Sequence, residues 1–402
     1  MSFYWNWDAS NPEYDLITIS DSPNEKYKLK PWTECKRADG SVEPFCVGSA
    51  YISGLASDGL LRSQPNLKPE RNQSHNNMIT NYGKKGKGYY GAGAERNTFQ
   101  IIFNLIKGAT KNSQSLYQGT SSYSFQIPAS IESATANTYF PVANAQAAQI
   151  LVGSYVSVGY GRLVSGKANL DRSYSEVHKY ADSVKVLRIE TLDSANKAVY
   201  LDIPEEKAFN TMPVALDQTV NAKIHITSMH WWSGSTNAVI GRHDGSLVSN
   251  TDAKHPYRVQ GREYMVGGYM VESDTVMEFQ SDHSKKVYAA PKGVAHSSSD
   301  ATIKSTYKAI GTIPYPASAG DGNFWIGDIG VDTETGAWYP SAVGISDSQG
   351  FADHCYGGGT ASSGFRESLQ GGSLWAGSLA GSCYLLCWND LGGGSWSFLA
   401  AD

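Results

Sequence analysis

Glycine interrupts this chain too often to leave room for many long helices. Of the 402 residues 41 are glycine, and only 18% are charged beside 24 tyrosines, a balance that favours short strands joined by tight turns. With 41% apolar residues the chain has enough to bury two or three cores, which excludes a disordered polymer. A β-rich α+β fold with few helices is expected.

Helical periodicity concentrates in one place. From Glu95 to Gln114, the residues Phe99, Ile102, Phe103, Ile106 and Ala109 share one face, while Asn104, Lys107 and Lys111 point elsewhere. Gly108 weakens this run and the GTSS after Gln118 ends it. Ahead of it, residues 1–45 mix aromatics with polar residues and prolines (Tyr4, Trp5, Trp7, Pro12, Pro31, Trp32), which suits an extended arm that packs on a neighbour. Behind it, from about Ser122 to Trp232, the period becomes alternating. Strands are expected at Gln149–Tyr160, Val184–Thr191, Ala198–Ile203 and Ala222–His230, with Asp193-Ser194-Ala195-Asn196 as a hairpin turn. That stretch reads as a small β-barrel or sandwich. Further strand candidates are Tyr264–Val271, Lys286–Ala290 and Phe324–Ile329, and His296–Ser305 reads as a polar loop. No repeat of solenoid or propeller period is visible.

Charge and cysteine content narrow the function classes. A net charge of -5 gives no general attraction to phosphate, and Lys84, Lys85 and Lys87 read as a solvated glycine-rich loop, so no nucleic-acid partner is expected. The N-terminus has neither a basic n-region nor an apolar h-region, and no apolar run reaches the ~18 residues a membrane span needs. Synthesis in a cytoplasm without membrane insertion is the expectation. Five cysteines (Cys35, Cys46, Cys355, Cys383, Cys387) form an odd, sparse set that reads as reduced and mostly buried. His225 and His230 are five apart, a spacing that sends them to opposite faces of a strand. Asp328, Asp332 and Glu334 lack calcium-loop spacing and read as solvated turn carboxylates. No nucleophile elbow and no P-loop occurs.

The ending carries the most specific signal. In GGSLWAGSLAGSCYLLCWNDLGGGSWSFLAAD, the elements Gly371-Gly372-Ser373, Gly377-Ser378 with Ala380-Gly381, the aromatic pair Trp396 and Phe398, and Ala400-Ala401-Asp402 are in order. This pattern resembles the C-terminus of C-type-lectin-like folds in two groups: the formylglycine-generating enzymes and the variable proteins that phage retroelements diversify. ERNTFQIIFNLIKGATKNSQ, Ser249–Asp274 and IGDIGVDTETGAWYP resemble further segments of these proteins in the same order.

The resemblance implies a C-type-lectin-like domain with an inserted small β-domain. The division is then an arm at 1–45, a first part of the lectin-like domain at 46–121 with the helix at 95–114, an inserted domain at 122–232, and a second part at 233–402 with the ligand-presenting segment at 371–402. It also implies a phage tail-fibre or tail-tip protein, a homotrimer in the virion tail that assembles in the host cytoplasm beside other tail proteins. Such a protein binds a bacterial surface receptor, glycan or protein. The alternatives are a structural virion decoration protein and a formylglycine-generating type of oxidase. The oxidase needs an active cysteine just after GGS, where this chain has Leu374-Trp375-Ala376, so no enzyme is expected.

The candidate ligand-binding residues are Trp375, Leu379, Tyr384, Leu386, Trp388, Asn389, Asp390, Ser395 and Ser397. Tyrosine and tryptophan offer contact area at low entropic cost, and asparagine and serine adapt their hydrogen bonds, as in antibody loops. Trp388-Asn389-Asp390 spells the WND of calcium lectins. The upstream EPN or QPD partner is missing, with Gly371 following Gln370, so no cofactor is assigned and calcium stays a secondary reading.

Overall fold

A computed structural model describes the chain except residues 1–2, 12, 117–123, 172–173, 217–220, 239–254, 265–268, 317, 319, 374–375, 394–398 and 401–402. The fold is β-rich, 33% strand against 16% helix.

The N-terminal segment is not a free arm. β1 (Tyr4–Asp8) pairs antiparallel with β2 (Leu16–Ser20) and with β3 (Lys30–Pro31), and the alternation of β1 turns Trp5 and Trp7 into the main core. Trp32 follows them there, and Phe3 stacks on it with ring centroids 4.9 Å apart. The tryptophans that suggested an assembly surface are instead covered by this chain's own helix. Each buried large side chain contributes roughly 1.5–3 kcal/mol, more than an exposed arm would retain.

A short hairpin of β4 (Gly54–Leu55) and β5 (Leu61–Arg62) leads to α1 (His75–Gly83) and α2 (Ala94–Gly108). Helix α2 stops earlier than the periodicity suggests: Ala109 turns left-handed at φ 49°, and Ile106 is exposed. Gly108 lets the Leu116 side chain pack against the last turn of the helix, and the chain leaves the helix one residue later, at Ala109. Phe99, Ile102 and Phe103 are buried as the stripe requires, but so are Arg96, Asn97, Thr98, Gln100 and Asn104. Arg96 donates to the carbonyls of Ser49 (2.7 Å) and Glu263 (2.9 Å), and Asn97 to that of Ser382 (2.7 Å). The helix is enclosed on several sides, and its polar residues pair with the segments that enclose it. Its first N–H groups have no side-chain cap from Gly93; Asp274 supplies one, accepting from Ala94 N at 3.0 Å.

Residues 125–231 build a separate core. β6 (Gln126–Pro128), β7 (Tyr139–Ala143), the turn α3 (Asn144–Ala147), β8 (Tyr155–Gly159), β9 (Ala181–Thr191) and β10 (Asn196–Leu201) come first. After a small pair, β11 (Val214–Ala215) with β12 (Asn221–Ala222), β13 (His225–Ser228) completes a sheet of order β6-β13-β8-β9-β10-β7. The strand expected from Gln149 begins only at Tyr155, because Gly153 turns at φ 90°. The 193–196 turn closes as an Asx turn, with Asp193 Oδ1 accepting from Ala195 N and Asn196 N. This unit is tied to the rest through Asp182, which accepts from Lys68 (2.9 Å) and Arg71 (2.8 Å), and through Trp232, which donates to Ser183 O at 3.0 Å.

The remaining strands complete the main core. β14 (Tyr257–Val259) pairs with β15 (Arg262–Tyr264), and then come β16 (Tyr269–Phe279), β17 (Lys285–Ala289), α4 (Asp300–Thr306), β18 (Lys308–Ile313), β19 (Phe324–Val331), β20 (Trp338–Val343), β21 (His354–Tyr356), β22 (Phe365–Gln370), β23 (Leu385–Leu386) and β24 (Leu399–Ala400). The sheet runs β18-β17-β16-β22-β23-β21-β19-β20, with β24 parallel to β16. Its two ends come side by side, giving a nearly closed, barrel-like sheet. The Tyr339 ring fills the space over Gly311 and Gly330, where any side chain would overlap it. The polar stretch 296–305 is only partly a loop: Ser299 caps α4, accepting from Thr302 N, and Ile303 is buried beneath it.

Candidate functional site

Alternation along the central strands sorts residues to the two sides of the barrel wall. Phe324, Cys355, Leu385 and Cys387 point into the main core. Their neighbours Trp325, His354, Tyr356, Tyr384, Leu386 and Trp388 take the outer side. Register brings Trp325 opposite His354 and Tyr356 opposite Leu386. The rings form a ladder: Trp325 to His354 at 5.3 Å, His354 to Tyr356 at 4.6 Å, and Tyr356 to Tyr384 at 5.7 Å between centroids. Trp325, His354 and Tyr356 are half-buried, and Trp388 is 55% exposed. Burial pushes the His354 imidazole down to about 4, against the pull of Asp321, so the ladder is uncharged at neutral pH.

The segment beside this ladder is held rigidly. Gly371 and Gly372 turn at φ 82° and 85°, in the region that favours glycine. A side chain at Gly381 would overlap Asp353 and Ser113. Buried Asp353 accepts from Ser113 Oγ (2.8 Å) and Cys383 N (2.7 Å), and Cys387 N donates to Tyr356 O at 3.1 Å. The small-residue frame thus combines left-handed turns at Gly371, Gly372 and Gly377 with one close approach at Gly381, and it is fastened to α2 by Asn97 and to β21 by its backbone.

The sequence-derived site residues divide. Trp388 is presented to solvent, and Asp390 is exposed with an ion pair to Arg366 at 2.6 Å. Leu379 and Leu386 are half-buried beside the ladder. Tyr384 and Asn389 are corrections. Tyr384 is 1% exposed, because the short turn Gly377–Leu379 folds Ala376, Ala380 and Leu379 over its ring. Asn389 turns inward and donates to Glu367 Oε1 at 2.9 Å. Asn389 and Asp390 therefore serve different partners. Trp375, Ser395 and Ser397 lie outside the described residues. Residue reading missed Trp325, His354 and Tyr356; the signal was HCY, a buried cysteine between two ring residues of one face.

Glu367 is the site's buried acid. Burial pushes it up to about 7, against the donors His75 N (2.8 Å) and Asn389, and Asp390 adds to the rise. The cysteines at the ending are core groups: burial, then Asp353, pushes the Cys383 thiol well up, and Cys387 is fully buried beside Cys355. Compared with known proteins, the chain matches no protein-family model and no curated protein significantly.

Proposed function

We propose that the protein is a binding protein that engages a bacterial surface ligand through the outer face of β19, β21 and β23 and the adjoining segment 377–391, as a receptor-binding protein of a phage or prophage tail. The observation that carries this reading is the ring ladder Trp325-His354-Tyr356 on a rigid sheet, continued by exposed Trp388. Aromatic faces held by strands give contact area without an ordering cost, which favours recognition. The resemblance of the ending to C-type-lectin-like variable proteins supports a C-type-lectin-like fold, a host-directed partner and a trimer, in which multivalency raises weak single-site affinity.

Adsorption to host cells tests this. Replacing Trp325, Tyr356 and Trp388 together by alanine is expected to reduce adsorption at least tenfold while circular dichroism stays unchanged. Unchanged adsorption by the folded variant would sink the assignment and favour a structural virion role.

A further inference from the structure

A cavity of about 270 Å³ opens beside the packed rings of Phe3, Trp32 and Phe99, with Val47, Gly48 and Gly261 also lining it. Its floor is the ion pair Glu34–Arg262. Arg262 is 8% exposed, lies 4.4 Å from the Phe99 ring centroid, and gives one nitrogen to Glu34 Oε2. Gly48 allows this, since any side chain there would overlap the guanidinium.

The pairing leaves capacity unused. Glu34 Oε2 accepts from Arg262, from Trp32 Nε1 at 3.1 Å and from Cys46 Sγ at 3.7 Å, whereas Glu34 Oε1 has no donor among the described residues. Nε and Nη1 of Arg262 likewise have no acceptor among them. Both residues line the cavity and keep some exposed side-chain surface, 10% for Arg262 and 17% for Glu34. Burial opposes Glu34's charge, but Arg262 outweighs it and holds the carboxyl below its ordinary range, so both groups are charged at neutral pH.

We propose that this cavity binds a small zwitterion with an apolar body, of the α-amino-acid type. The ligand carboxylate takes the free edge of Arg262, its ammonium takes Glu34 Oε1, and its apolar part lies against Val47, Gly48 and the edge of the packed Phe3, Trp32 and Phe99 rings. A ligand with one charge is disfavoured because the floor carries both signs about one hydrogen bond apart, so either lone charge meets its like. The volume sits at the small end of ligand pockets, which excludes an oligosaccharide. This site is independent of the outer aromatic face.

Calorimetric titration of the full chain, with tryptophan fluorescence as a second readout, tests the idea using L-phenylalanine, 3-phenylpropanoate, 2-phenylethylamine and glucose. Saturable binding of L-phenylalanine is expected, at least tenfold tighter than either singly charged probe. Glu34→Gln should erase the preference over 3-phenylpropanoate. Val47→Trp, at a position 89% exposed on the rim, should abolish binding without disturbing the fold. No saturable binding at millimolar concentration, equal binding of all probes, or binding that survives Val47→Trp would each overturn the proposal.

Discussion

Glu367 has no solvent contact, yet it keeps a carboxyl group between two donors and beside Asp390. Its folded pKa of about 7 lies above the ordinary 4.5. The folded state therefore holds a proton that the unfolded chain has lost between these values. The associated stability is fully present below pH 4.5 and is lost as pH rises through 7, a swing on the order of 3 kcal/mol. Glu367→Gln is expected to flatten this part of the stability curve, measured by urea unfolding between pH 5 and pH 8. A slope equal to that of the wild type would refute the assignment. The same residue explains why Asn389 looks like a presented polar group: the acid that claims it lies 22 positions away and is itself fixed by His75 N, 292 positions away, which local spacing does not reveal.

At the scale of elements, strand alternation decides what is presented and what is packed. Tyr384 and Trp388 share a face, but only Tyr384 is roofed by the Gly377–Leu379 turn. Tyr384→Ala is expected to cost about 3–5 kcal/mol, as for large core truncations, and Trp388→Ala less than about 1 kcal/mol. Equal costs by chemical denaturation would contradict this division. Much of this level was legible in the residues: the stripe of α2, the alternation of β9 and β10, and the Asp193 turn all follow from local spacing. What was not legible depends on partners far away in sequence. The buried polar side of α2 is set by Ser49, Glu263 and Ser382, and Trp325 joins His354 only through register. The aromatic N-terminus likewise gave its composition but not its destination, because tryptophans serve an interface and a core equally well.

Among the described residues two large cores, the first fringed by smaller buried clusters, are joined by a polar seam. Asp182 is the shared acceptor of that seam, and Lys68, Arg71 and Trp232 reach across it. Since Asp182 is partly exposed, each pair contributes no more than about 1 kcal/mol, so the seam couples the units more than it stabilises either. Asp182→Ala is expected to split the calorimetric unfolding of the chain, with the unit 125–231 melting apart from the rest. An unchanged single transition would show that the coupling lies elsewhere.

The position of α2 has a consequence for how the chain is made. Phe99 and Phe103 emerge from the ribosome early, but the strands that cover them, from Tyr257 onward, follow about 150 residues later, some ten seconds or more at typical elongation rates. During that interval the six-stranded unit between them can already close on its own core. The nascent chain therefore passes through a stage with its middle finished and its first aromatics, Phe3, Trp32, Phe99 and Phe103, packed only on one another, and it is in that window that a chaperone would act.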